Sequence, residues 1–182
     1  MTVRSLASEL GVAPMSLYRH VSNKDDLLAE VVDRLLARSW RPRAKKSDWK
    51  GWVAEAAEKL CGLLCSQPAA LHVYLSHPVV SVAAVARMDA MLNVLCSAGA
   101  DEEEARRAYG SIHTYTIGFT ALAASRAKWR PSEGHDVTSR LAAELASFTT
   151  TKNFATGLGY LLNGIQRETS IGPAEPSSRA GP

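Results

Sequence analysis

The sequence predicts an all-α protein, built as a small N-terminal helical unit followed by a larger helical domain. Apolar residues recur at three-and-four spacing along most of the chain, and no paired stretches alternate as strands would. Glycine, proline and Ser/Thr/Asn/Asp residues fall where helices start and stop. A connector from Trp40 to Lys46, with Pro42 and no apolar period, marks the boundary between the two parts.

Taken in order, Thr2 can cap a first short helix running through Leu10, which Gly11 ends as a left-handed turn residue would. Pro14 suits the first turn of the next helix, where its missing N–H costs nothing. Ser22-Asn23-Lys24-Asp25 has the capping-box pattern, ahead of a longer helix with Leu28, Val31, Val32, Leu35 and Leu36 on one face. Beyond the connector, Asp48 to about Cys65 is amphipathic, with Trp49, Trp52, Val53, Ala56, Leu60 and Leu63 in register. Pro68 and Pro78 divide the next stretch into short pieces, and a helix from about Val82 to Ala98 ends at Gly99. The acidic run Asp101 to Glu104 then loads the start of a long helix with the charge its dipole favours.

That long helix is apolar on more than one face: Ala105, Tyr109, Ile112, Thr116 and Phe119 on one, Ala108, Tyr115, Leu122 and Ala123 near another. Such a profile belongs to a helix held between two partners. Arg130 to Gly134 reads as a loop, and helices at about 137–148 and 152–168 close the fold. The expected organisation is a small helical unit at 1–41, a larger helical body at 47–169 and a disordered Pro/Ser/Gly-rich tail at 170–182.

Composition narrows the function. Of 182 residues, 46% are hydrophobic and 21% charged, as in globular domains, and no apolar run approaches a membrane span. A cytoplasmic protein with no membrane partner is expected. Cys61, Cys65 and Cys96 form no disulfide framework, and small buried thiols on a helix explain the first two. No nucleophile elbow, phosphate loop or metal-ligand spacing occurs, so neither an enzyme nor a cofactor or metal site is expected. Residues 1–46 carry nine basic residues against five acids, a local +4 within a net charge of +3. A basic segment on a near-neutral body suits a polyanionic partner.

Leu6, Leu10, Val12, Leu17 and Val21 supply a small core between two short helices that turn at Gly11, a helix-turn-helix. In such a motif the second helix enters the major groove. This places Pro14, Met15, Ser16, Tyr18, Arg19 and His20 on or near the reading surface, with Lys24 as a phosphate clamp. Arg19 has the forked donors to meet guanine O6 and N7, and Ser16 or Tyr18 can meet phosphate or a base.

The run from Thr2 to Leu28, with its LA-x-x-LGV, LY-x-H and NK-x-x-LL elements, resembles the DNA-binding segment of the tetracycline-repressor (TetR) family. Trp49, Tyr115-Thr116-Ile117-Gly118 and Phe154-x-x-Gly157-Leu158-x-x-Leu161-Leu162-x-Gly164 are similar to the tetracycline-repressor subgroup. The resemblance implies a homodimeric repressor of palindromic double-stranded operator DNA, released by a small-molecule effector. It adds Arg4 to the base contacts and gives Tyr18 and Lys24 to phosphates. Family members carry a further helix packed across the motif, whereas Met1 directly precedes the cap of the second family helix. The expectation is therefore either a start upstream of Met1 or impaired DNA binding, the alternative function being a ligand-binding or interaction dimer. Leu36 and Ala56 stand where tetracycline repressors place polar ligand contacts, so a more apolar effector than a tetracycline–magnesium chelate is expected.

His72, His77, Asp89, Tyr109 and His113 are the candidate polar anchors of an effector pocket, each reading equally well as a core or surface residue. For dimerisation, the long helix and the last one are expected to pair with their counterparts in a four-helix bundle. Phe154, Leu158, Leu161 and Ile165 form one stripe on the last helix, and Gly157, Leu161 and Gly164 an adjoining face for close approach.

Overall fold

The computed structural model describes residues 8, 11, 13, 15, 16, 23–39, 42, 43, 45, 47–76, 82–128 and 136–172. Seven α-helices run through them in the order α1 (Lys24–Ser39), α2 (Trp49–Ser66), α3 (Pro68–Ser76), α4 (Val82–Ser97), α5 (Glu102–Lys128), α6 (Asp136–Ser147) and α7 (Thr151–Glu168), and no strand occurs among the described residues. None of these helices is long and apolar enough to cross a membrane.

Local chemistry sets the starts. The Asn23 side chain accepts from the Asp26 N–H at 2.8 Å, so the cap of α1 sits at Asn23 rather than at Ser22, which lies outside the described residues. Asp48 caps α2 through the Gly51 N–H, and Thr150 caps α7 through the Asn153 N–H. Asp101 accepts from the Glu103 and Glu104 N–H groups while the Glu104 carboxylate accepts from the Asp101 N–H, a reciprocal capping box. The acidic run thus serves the start of α5.

Two apolar clusters share α2 and α5. The lower one joins α2, α4, α5 and α7 through Trp49, Val53, Leu95, Ile112, Phe154 and Leu158, among others. The upper one joins Val32 and Leu36 of α1 to Leu64 of α2 and Ala70, Leu71 and Val73 of α3, with Tyr74 and Ile117 packed against it. Burying a large side chain of this kind contributes about 1.5–3 kcal/mol. Thr116 and Thr120, fully inside α5, satisfy their hydroxyls by donating to the Ile112 and Thr116 carbonyls.

Two expectations are corrected. Cys61 is buried but Cys65 is exposed. Their sulfurs are 4.0 Å apart, and partial desolvation of the Cys65 sulfur together with Cys61 pushes that thiol up to about 11, so it stays protonated near neutrality. The tail does not loosen at Ser170. Ile171 is 4% exposed in the lower core, and the Gly172 N–H donates to the Ala98 carbonyl. The Gly172 carbonyl accepts from Trp49 Nε1 and Gln166 Nε2. One apolar side chain and a set of backbone partners outweigh the polar composition of the segment; residues 173–182 lie outside the described part.

Candidate functional site

At the N-terminal end, Gly11 holds φ +66° and donates to the Ser8 carbonyl, the turn the motif requires. Met15 and Ser16 are helical; Met15 is 72% exposed and Ser16 half-buried. Arg4, Pro14, Tyr18, Arg19 and His20 lie outside the described residues. Lys24 opens α1.

A polar cluster lies where α1, α3, α4 and α5 approach one another. On α5, Tyr109 and His113 are one turn apart and their rings stack, with centroids 5.5 Å apart and planes at 15°. The Tyr74 hydroxyl of α3 lies 3.5 Å from His113 Nε2, and its ring centroid 6.1 Å from the imidazole. On α4, Arg87 pairs with Asp33 of α1 at 3.5 Å, with side chains only 12% and 13% exposed.

The electrostatics follow from burial beside one cation. Desolvation pushes the Tyr74 phenol up to about 12, nearby Tyr109 adding to this and Arg87 opposing it. Burial likewise raises Tyr109 against the pull of Arg87. His113 is lowered, first by burial and then by Arg87. Near neutral pH the cluster therefore offers two phenol donors, a neutral imidazole and a guanidinium. Such a set suits binding a small molecule.

The structure brings together two of the five proposed anchors, Tyr109 and His113. His72 and Asp89 face solvent, which removes them from any interior pocket, and His77 lies outside the described residues. Sequence reading missed Tyr74, Arg87 and Asp33. Arg87 had a signal, since with Asp89 it is one of only two charges in the mostly apolar α4. Leu36 lies in the upper cluster and Ala56 in the lower one, so they do not line one site.

On α7, Phe154 and Leu158 are each 1% exposed and belong to the core of their own protomer. The Phe154 ring meets Tyr115 at 5.4 Å and Phe119 at 5.0 Å, and the Tyr115 hydroxyl donates to the Phe154 carbonyl at 2.9 Å. Leu161 and Ile165 are half-buried against the same core. A side chain at Gly157 would strike the Tyr115 hydroxyl, so the close neighbour expected there comes from the same chain. Gly164 is exposed with open space around it. Phe154, Gly157 and Leu158 of that stripe thus engage their own protomer, while Leu161 and Ile165 keep part of their surface exposed and Gly164 faces outward. The exposed apolar side chains nearby are Leu122 of α5, Leu141 and Leu145 of α6, Phe148, and Tyr160 of α7.

Residues 1–31 match the family described as bacterial regulatory proteins, tetR family, and residues 41–169 match the tetracyclin repressor-like, C-terminal domain. The HTH-type transcriptional repressor DrrR1 of Streptomyces coeruleorubidus is 31% identical over 120 residues, which cover 65% of this chain and 44% of that one. An HTH-type transcriptional regulator of Saccharopolyspora erythraea is 26% identical over 145 residues, covering 80% and 60%. The chain thus spans about half the length of the curated relatives it matches. The crystal structure of Mycobacterium smegmatis BioQ superposes with a TM-score of 0.69 at 26% identity, over 91% of this chain and 86% of that one. By the match over most of its length and the shared all-helical architecture, the chain belongs to the TetR family of transcriptional regulators, with a tetracycline-repressor-like C-terminal domain.

Proposed function

We propose that the chain is a ligand-responsive repressor, and no enzyme, acting in the cytoplasm. As a homodimer it holds palindromic operator DNA, and it lets go when a small, largely apolar molecule occupies the upper cluster. The observation that carries this reading is the burial of Val32 and Leu36 against Leu64, Leu71 and Val73. Through them α1, the helix that follows the DNA-binding segment, shares its core with the sensor body. A molecule that rearranges that core has a mechanical route to the DNA-binding end.

In this reading Arg4, Ser16 and Arg19 meet base edges, Pro14, Met15 and His20 shape the reading surface, and Tyr18 and Lys24 hold phosphates. Dimerisation runs through α5 and α7 paired with their counterparts, and the exposed Leu122, Phe148 and Tyr160 support an apolar partner there.

The test selects preferred sites from random duplex DNA and titrates them in gel shifts. A two-fold symmetric site is expected. Arg19→Ala should cost about 1–3 kcal/mol and relax preference at one position of each half-site, whereas Lys24→Ala should weaken all sites alike and flatten the salt dependence. Absence of any enriched site would remove the repressor reading and leave a ligand-binding dimer. Identical behaviour of the two variants would remove the role assignment.

A further inference from the structure

We propose that Cys61 and Cys65 of α2 form a two-thiolate site for one soft monovalent metal ion, Cu(I), at the edge of the lower cluster. The site is separate from the cluster around Tyr74 and His113, and it stands or falls independently of the effector reading above.

The helix builds the pair. Residues four apart lie one above the other on an α-helix, and here the two sulfurs come to 4.0 Å. Cys61 is anchored in the lower cluster at 8% exposure, whereas Cys65 is exposed. Glu58 and Gly62, both exposed, run along one side of the two thiols. Nothing lies within 4 Å of where a Cβ on Gly62 would stand, so that side is open to water. An ion can therefore meet Cys65 from solvent and then close onto Cys61, and it needs no interior cavity.

The occupant follows from the number and kind of ligands. The described residues hold no group of three or more His, Cys, Asp or Glu that could share an ion. Structural zinc takes four ligands, and calcium and magnesium take oxygens, so the pair suits none of these. Soft thiolates select Cu(I), an ion that two of them can satisfy. With metal–sulfur bonds of about 2.3 Å, the length zinc shows, sulfurs 4.0 Å apart subtend an angle of about 120° at a bridging ion. Turning the exposed Cys65 side chain outward opens that angle toward the linear arrangement of a two-coordinate ion. The Cys65 proton, held with a value of about 11, and that of Cys61 leave to solvent, because a coordinating thiol is deprotonated outright. Cu(I) and two thiols thus give an anionic bis-thiolate and two protons, with nothing oxidised or reduced.

The experiment titrates the reduced full chain, without oxygen, against Cu(I) held as its coloured bicinchoninate complex, and counts the sulfurs around copper by X-ray absorption. One copper per chain with two sulfur neighbours is expected. Cys65→Ser, at the exposed position, should weaken binding at least about tenfold, and Cys61→Ala should do the same. Cys96→Ser, which alters an exposed thiol outside the pair, should leave the affinity unchanged. Zn(II) offered with a zinc indicator should stay with the indicator. Failure to draw copper from the chelator, half a copper per chain, or a third sulfur at the metal would each overturn the proposal. Unchanged affinity in Cys65→Ser, an equal loss in Cys96→Ser, or zinc uptake matching that of copper would do so too. Should Cys61→Ala lose its helical circular dichroism, Cys65→Ser and the sulfur count carry the test.

Discussion

Replacing Gly99 by alanine tests how the C-terminal strap is locked to the sensor core. Gly99 ends α4 at φ +115°, where an L side chain is strained, and holding alanine there costs about 1–3 kcal/mol. The added Cβ would also stand 2.9 Å from the Ser170 carbonyl oxygen, a backbone atom that cannot rotate away. Relief requires the segment 170–172 to back off, taking with it the Gly172 N–H bond to Ala98 and the 4% exposed Ile171. Losing that burial adds about 1.5–3 kcal/mol, so the whole effect is about 2.5–6 kcal/mol. For a chain of this length each kcal/mol lowers the melting temperature by about 2–4 °C, and a drop of at least about 4 °C is expected. Ile171→Ala alone should cost about 2–5 kcal/mol through the cavity it leaves. Because both changes detach the same strap, the double variant should fall short of the sum by about 1 kcal/mol or more in a thermal-denaturation cycle. Strict additivity, or an Ile171→Ala cost below about 0.5 kcal/mol, would show that the strap is not held in this way.

Tyr115→Phe should cost about 0.5–1.5 kcal/mol by losing the donor to the Phe154 carbonyl, and should relieve part of the penalty of Gly157→Ala, since the hydroxyl that a Cβ would strike is gone; a denaturant-unfolding cycle reads both. Phe148→Asp with Tyr160→Asp should yield a monomer in sedimentation that keeps its helical circular dichroism, because these side chains are 57% and 75% exposed in the protomer; a persisting dimer would place the interface elsewhere. His113 is held below its ordinary value of 6.5, so the unfolded chain binds the proton more readily. Its contribution to stability is complete above 6.5 and is lost as pH falls from there toward the lowered folded value. His113→Gln should flatten this part of the pH–stability curve, and a curve unchanged by that substitution would show that the imidazole is not kept neutral by its surroundings.

What could be read from the sequence divides along the range of the forces involved. Helix starts were legible because caps act over three residues: Asp48, Asp101 and Thr150 each accept from N–H groups two or three positions ahead. Tyr109 and His113 were marked only as separate candidates, although their spacing of one turn on one helix is what lets the two rings stack. The rest of the cluster was not, because Arg87 meets Asp33 and Tyr74 meets His113 only after α1, α3, α4 and α5 have packed.

The last helix shows the limit most sharply. Its apolar stripe and its glycine at 157 correctly announced burial and a close neighbour, yet periodicity says nothing about whose atoms do the covering. A second copy and a helix of the same chain satisfy the pattern equally well. Position 115 decides between them: a tyrosine there reaches the Phe154 carbonyl and fills the space that the missing Cβ of Gly157 leaves open. With Phe154, Gly157 and Leu158 engaged inside the protomer, a partner can meet only the half-buried Leu161 and Ile165, Gly164 and what else remains exposed. On α5 and α7 and at the end of α6 that means Leu122, Tyr160, Leu145 and Phe148, side chains that no single-helix period had marked as one surface.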